Sequence, residues 1–200
     1  MSSDRAPGPP SGILDEARRL DLATFAAIER TPTPDLDRAM ARLTRAADYS
    51  RLWLSSAAVL AIVGGPHGRR AAANGLACLA TTATVVNLVL KPLGRRRRPT
   101  RVAREVPVAA PVPMPRSASF PSGHSAAGFS FATGVGDLAP IPAIPLHALA
   151  ALVAYSRVHT GVHYPADALG GGLLGVAIAR AVTAARRRDV ARSRSPRLQE

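Results

Sequence analysis

The chain has 200 residues, 47% of them hydrophobic and 4% aromatic, and a formal charge of +13. That length suits one domain, and no stretch reads as a linker between independently packed halves. The charge by itself would suit a nucleic-acid binder, but such a protein needs a basic face on a soluble core with stacking aromatics, which this composition excludes.

In chain order, residues 1–12 are polar and proline-rich without an apolar core segment, so they read as a disordered N-terminus and not as a cleavable signal peptide. Ile13 to Arg30 sets Ile13, Leu14, Ala17, Leu20, Phe25 and Ile28 largely on one side at helical spacing, with Arg18, Arg19, Glu29 and Arg30 mostly opposite. After the Thr-Pro-Thr-Pro break, Thr33 can cap and Pro34 can open a second amphipathic helix carrying Leu36, Ala39, Met40 and Leu43. Residues 13–48 thus read as interfacial helices, resting on a membrane surface or packing on the spans.

From residue 49 the apolar residues form long runs almost free of charge, with arginines clustered between them, a membrane pattern. Leu52 to Val63 reads as a short first span closed by Gly64, Gly65 and Pro66, and Ala71 to Leu90 as a second with buried Cys78, which as the lone cysteine forms neither disulfide framework nor cysteine metal site. Lys91 to Phe120, rich in proline, glycine and arginine, reads as a water-exposed loop. Ser122 to Val135 and Pro145 to Ser156 supply a third and fourth span, separated by the proline-rich punctuation from Asp137 to Pro145. Ala168 to Ala185 supplies a fifth, with Arg180 near enough its end to snorkel. The expected fold is all-α: a polytopic membrane helical bundle of about five spans over residues 49–185, preceded by interfacial helices and followed by a basic, disordered tail over 186–200.

Three polar clusters lie at span edges, and counting spans puts them on one side of the membrane: Lys91 with Arg98-Pro99, then Pro121-Ser122-Gly123-His124, then Ser156-Arg157 with His163 and Asp167. Phosphoryl transfer needs fixed cations on the equatorial oxygens, an in-line nucleophile and a proton donor for the leaving oxygen. Arg98 and Arg157 can fork onto phosphate, and Lys91, the only lysine in the chain, adds a point charge. Ser122, Gly123 and His124 open a helix whose unpaired N–H groups favour an anion. His163 and Asp167 are four apart, so the carboxylate can hold one imidazole nitrogen and present the other as nucleophile. His124 is then the general acid. A metal site is the competing reading, because His159, His163 and Asp167 recur every four residues, but Gly161 and Pro165 suggest a turn where that reading needs continuous helix. His67 and His147 read as ordinary interfacial or structural residues, and His159 as a rim residue.

These three blocks, Lys91-x6-Arg98-Pro99, Pro121-Ser122-Gly123-His124 and Ser156-Arg157-x5-His163-x3-Asp167, resemble in sequence and order the signature of the type 2 phosphatidic acid phosphatase and haloperoxidase superfamily. The resemblance covers about Ala71 to Ala185. It implies a metal-independent, cofactor-free phosphatase acting on lipid phosphates or diphosphates. His163 would attack phosphorus, Asp167 orient it and His124 protonate the leaving group, while Lys91, Arg98, Ser122, Gly123 and Arg157 would bind phosphate. Members often have six spans against the five read here. The superfamily also holds soluble vanadium haloperoxidases, for which this chain is too short and too apolar. A non-catalytic membrane protein holding anionic headgroups would need only Lys91, Arg98 and Arg157, leaving the histidines without purpose.

The arginine counts on the two sides nearly cancel, but much of the charge in the Lys91–Arg116 loop is catalytic, and relatives that the chain resembles mostly face outward. The expected placement is a multi-pass cell-membrane protein with an extracytoplasmic site and a cytoplasmic tail. Its partners would be membrane lipids and a phosphorylated lipid substrate, with no nucleic acid. The alanine- and arginine-rich composition looks like that of a high-GC bacterium, where polyprenyl phosphates and polyprenyl-linked phosphosugars are candidate substrates beside phosphatidate and phosphatidylglycerophosphate. Sequence leaves the lipid and the oligomeric state open.

Overall fold

The computed structural model describes residues 12–31, 33–100 and 112–194. Seven helices follow one another there: α1 (Ile13–Arg30), α2 (Pro34–Ala46), α3 (Arg51–Val63), α4 (Gly65–Leu93), α5 (Gly123–Gly136), α6 (Pro140–His159) and α7 (Pro165–Arg194), with no strand among the described residues. The disordered stretches expected at residues 1–11 and 195–200, and the loop segment 101–111, lie outside the described residues.

α1 carries Asp15 and Glu16 in its first turn and Arg30 in its last, complementing the helix dipole. Asp21 and Phe25 are buried against α6 and α7, while Ile13, Leu14, Leu20 and Leu22 are exposed. The buried Asp21 carboxylate has its partners at the site described below. α2 opens on Pro34, but Thr33 makes no capping bond: its hydroxyl goes to Asp37 Oδ1 at 3.3 Å.

α3 and α4 form a tight hairpin. Gly65 takes a left-handed φ of 56°, and a Cβ at Gly68 would lie 2.1 Å from Leu60 O. α4 therefore starts at Gly65 rather than at Ala71, and His67 sits in its first turn rather than in a loop. Its last part, Val85–Leu90, is π-helical before the helix ends at Leu93. The proline-rich break expected from Asp137 to Pro145 is also shorter than its composition suggests. Pro140 and Pro142 fall in the first turn of α6, where N–H groups have no helical acceptor, and only Pro145 lies in the interior.

α5 is the hub, packed between α4, α6 and α7. Small residues let the backbones approach: a Cβ at Gly171 would meet Ser122 O at 2.4 Å, and one at Gly175 would meet Ala126 O at 2.2 Å. Trp53 and Phe131, rings 5.8 Å apart, fill the wider space between α3 and α5. Buried polar groups are cross-linked between helices, Thr82 to Ser130 at 2.7 Å and Asn74 Nδ2 to Gly134 O at 2.8 Å, as an apolar surrounding requires. Cys78 is fully buried among them.

Three helices are long and apolar enough to cross a membrane: Gly65–Leu93, Pro140–His159 and Pro165–Ser193. α3 and α5 match two further apolar runs, but their 13 and 14 residues extend about 20 Å, short of a hydrocarbon core of about 30 Å. The tail expected to be disordered from Arg186 is helical to Arg194. Arg186 reaches Asn74 Oδ1 at 3.2 Å and Arg187 pairs with Asp137 at 2.5 Å, so charges that look free in sequence fasten α7 to the neighbouring helices. The chain is an all-α membrane protein, and the alternating directions of α4 to α7 bring the end of α4, the start of α5, the end of α6 and the start of α7 to one end of the bundle.

Candidate active site

At that end lies a cluster of cationic and imidazole side chains. α6 stops at His159, Gly161 turns the chain at a φ of 68°, and the N–H groups of Val162 and His163 both bond Arg157 O, at 3.1 and 3.2 Å. This loop buries His163, which is 2% exposed. Its Nε2 faces Arg98 Nη1 at 3.2 Å, and its Nδ1 faces Asp167. The Nδ1 to Oδ2 distance is 3.7 Å, beyond hydrogen-bond reach. Ser119 fills the gap: its Oγ lies 3.5 Å from Nδ1 and donates to Asp167 Oδ2 at 2.5 Å. The direct carboxylate–imidazole bond expected from the four-residue spacing is thus an arrangement of three side chains.

Asp167 is held from every side. As third residue of α7, its Oδ2 accepts from Tyr164 N at 2.9 Å, one arm of a capping box. Oδ1 accepts from Arg96 Nη1 at 2.7 Å. The other arm of Arg96 is hydrogen-bonded to Asp21 of α1, and Asp21 Oδ1 also accepts from Ala166 N at 2.7 Å. Arg96 lies over the Tyr164 ring, 4.5 Å from its centroid, completing the bridge.

Cations gather on the Nε2 side of His163. Arg98 is fixed by Ser117 O at 2.9 Å and Val162 O at 2.8 Å. Arg157 is buried, with Nη1 on Thr44 Oγ1 of α2 at 2.5 Å. Lys91 Nζ lies 3.4 Å from where a Cβ at Gly123 would stand, so Gly123 leaves the space that the ammonium borders. Ser122 caps α5, its Oγ accepting from Ser125 N at 3.4 Å and from Ser125 Oγ at 3.0 Å. His124, in the first turn of α5, has Nε2 3.0 Å from Asp48 Oδ1. All eight residues singled out in the sequence therefore lie at this end of the bundle.

Burial lowers the His163 pKa to about 4; the Asp167 contact opposes this, and Arg98 and Arg157 add to it. His163 is therefore neutral at neutral pH, with a ring lone pair available. Burial also lowers the Arg98 pKa, which Asp167 opposes, but a guanidinium stays charged at neutral pH.

His159 does not join this cluster. Its Nε2 is 2.7 Å from Asp37 and its Nδ1 3.2 Å from Tyr155 Oη, so the His159, His163, Asp167 periodicity is broken by the loop. No three His, Cys, Asp or Glu side chains converge as a metal site among the described residues. His147 bonds Ala143 O at 2.8 Å inside α6, a structural role.

Sequence reasoning misses Arg96, Ser119, Asp21, Thr44 and Asp48. Arg96 is hidden in a run of four arginines. Ser119 lies just before the second block, whereas Asp21, Thr44 and Asp48 lie far ahead of the first, and the one available signal is that Asp21 interrupts the Leu20–Leu22 stretch of an amphipathic helix.

The sequence model of the PAP2 superfamily matches residues 72–190. Decaprenylphosphoryl-5-phosphoribose phosphatase, found in two strains of Mycobacterium tuberculosis, is 34% identical over 99 residues, 50% of this chain and 52% of the relative. The chain thus spans about half the length of the curated relatives it matches. The crystal structure of the first transmembrane PAP2 type phosphatidylglycerolphosphate phosphatase from Bacillus subtilis is similar with a TM-score of 0.63, at 25% identity, over 92% of this chain and 90% of that one. Aquifex aeolicus LpxE gives a TM-score of 0.63 at 26% identity, over 82% and 95%. With its signature blocks gathered at one end of the bundle and its matched region covering more than half its length, the chain belongs to the PAP2 superfamily.

Proposed function

We propose that this protein is a multi-pass cell-membrane lipid phosphatase that cleaves a phosphomonoester or diphosphate of a membrane lipid through a phosphohistidine on His163, at an extracytoplasmic site. The observation that carries this reading is the placement of His163. Its Nε2 faces the cation ring at Arg98, while its Nδ1 faces the Ser119–Asp167 pair.

In the proposed sequence, Lys91, Arg98 and Arg157 hold the phosphate oxygens with the N–H groups of Gly123 and His124 and the Ser122 hydroxyl. The Nε2 lone pair attacks phosphorus, the bond to the ester oxygen breaks, and that oxygen takes a proton from His124. The entering phosphate charge offsets the cations beside His124, which favours its protonated form. Asp167 stabilises the positive charge on the His163 ring. Water then attacks the phosphohistidine, losing its proton to His124, and phosphate leaves with His163 regenerated.

The lipid class is supported by the membrane helices and by the relatives, whose names include a decaprenylphosphoryl-5-phosphoribose phosphatase and a phosphatidylglycerolphosphate phosphatase. The test is phosphate release, by purified protein in detergent with EDTA, from phosphatidate, phosphatidylglycerophosphate, a polyprenyl phosphosugar and a polyprenyl diphosphate. Wild type should release phosphate from at least one lipid, and His163→Ala from none. Full activity in that variant, or silence of folded wild type on all four, would reject the mechanism.

A further inference from the structure

Between α1, α6 and α7 runs a groove of about 450 Å³ that takes no part in the phosphate chemistry. Small side chains carve it: Ala151 and Ala154 on α6, Ala168 and Gly172 on α7. The Phe129 ring of α5 is its floor, 3.0 Å from where a Cβ at Gly172 would stand. Its outer lip is open, since Leu169 and Leu173 are 69% and 74% exposed. α6 and α7 are both long and apolar enough to cross a membrane, so this lip faces hydrocarbon. Along α7 the groove extends from Pro165 to Val176, a rise of about 16 Å, or half of a hydrocarbon core of about 30 Å. It therefore starts at the level of the catalytic cluster and descends through one leaflet.

We infer that this groove binds one acyl chain of a membrane phospholipid that is not the substrate. Volume selects the occupant. A helix of another protein, about 10 Å wide, needs about 1,250 Å³ over that length, far more than the groove holds. An extended acyl chain, about 4.5 Å wide between contacting carbons, needs about 250 Å³, so one fits and two do not. Position separates this lipid from the substrate. In the in-line transfer proposed above, the leaving lipid departs on the side of His124, which meets Asp48 ahead of α3. The groove lies behind Asp167 instead: Pro165 and Ala168 flank that carboxylate, which faces Nδ1 and not the attacking Nε2. This separation rests on the phosphatase reading, whereas the fit of the acyl chain does not. The bound acyl chain fills the space beside Thr24 and Ile28 and so braces α1 against α7, the helices whose Asp21 and Asp167 are bridged by Arg96.

The test is photolabelling of the full-length protein in phosphatidylcholine vesicles that contain a phosphatidylcholine with a mid-chain diazirine, a phosphodiester lacking the terminal phosphate that the site takes. Insertion is mapped by peptide mass spectrometry against Leu88 of α4, 72% exposed near the same end of the bundle. Peptides covering 24–28, 151–155 and 168–173 should exceed the Leu88 peptide by about fivefold, a packing preference of about 1 kcal/mol. Thr24→Phe and Ala151→Phe fill the groove from opposite walls at exposed positions, so both are expected to fold, checked by gel filtration and melting temperature. Each should abolish the excess while leaving Leu88 labelling unchanged. Wild-type labelling no higher than at Leu88, an excess that survives in both variants, or cross-linking of a second copy through the groove would overturn the inference. Loss of the excess on adding a phosphonate analogue of the best-hydrolysed lipid would overturn it too, by assigning the groove to the substrate. Labelling needs no turnover, so these outcomes stand apart from phosphate release, whose absence rejects the phosphatase reading alone.

Discussion

At the scale of the residue, Ser119 is the least expected participant. Its hydroxyl stands between Asp167 and His163, so Ser119→Ala removes the short contact to Oδ2 and leaves the carboxylate 3.7 Å from Nδ1. We expect kcat to fall about tenfold with KM little changed, because the loss is in orienting the nucleophile and not in binding phosphate. The charge state of His163 gives a second prediction. A folded-state pKa near 4, below the ordinary value of 6.5, means that the unfolded chain takes up this proton first. The neutral ring therefore persists as pH falls through 6.5 and is lost only near 4, with native stability declining across that window. Nitrogen-15 NMR of histidine-labelled protein should show one imidazole, absent in His163→Asn, that stays neutral down to about pH 4. Titration near 6.5 would reject the buried, cation-flanked environment.

At the scale of the element, the N-terminal helices are structural parts of the site, although they lie before the residues that define the family. α1 supplies Asp21, α2 supplies Thr44 and Asp37, and the turn before α3 supplies Asp48, each meeting a residue of the three motif blocks or their neighbours. Arg96 carries the α1 connection by bridging two carboxylates, which its fork geometry permits and a lysine ammonium cannot reproduce. Arg96→Met should lower kcat by roughly 10- to 100-fold, with Arg96→Lys restoring only part, while an unchanged kcat in Arg96→Met would show that α1 merely leans on the bundle. The α5–α7 contact gives another test. Gly171→Ala sets a Cβ 2.4 Å from a backbone oxygen of Ser122, so the helices must separate at the cap of α5. A destabilisation of about 1–3 kcal/mol and loss of phosphate binding are expected, read by thermal denaturation and by protection from phosphate analogues.

At the scale of the whole molecule, the side of the membrane that the site faces can be read by chemical labelling. The native cysteine is fully buried, so a single introduced cysteine can report by itself. Thr100, exposed on the site side, is suited to this. If the site faces outward, Thr100→Cys in intact spheroplasts should react with a membrane-impermeant maleimide, and labelling only after permeabilisation would place the site in the cytoplasm.

Hydrophobic runs and turn residues are local properties, and they determined the all-α class, the first helix to its ends, and the segments of the apolar helices, because helix period and bilayer solubility act on neighbouring residues. The three polar blocks also carried the eight motif residues, since each block is contiguous at the edge of a run. Helix limits were less legible: prolines in a first turn cost nothing, so α6 begins at Pro140, and arginines with buried acceptors continue α7 to Arg194. The partners of those motif residues were decided only in three dimensions. Asp21 meets Arg96 across 75 positions, Asp48 meets His124 across 76, and Thr44 meets Arg157 across 113. No local pattern encodes such a pairing, because it arises from desolvation: once the bundle closes, a buried charge needs a partner, and the chain supplies one from whichever helix the packing brings beside it.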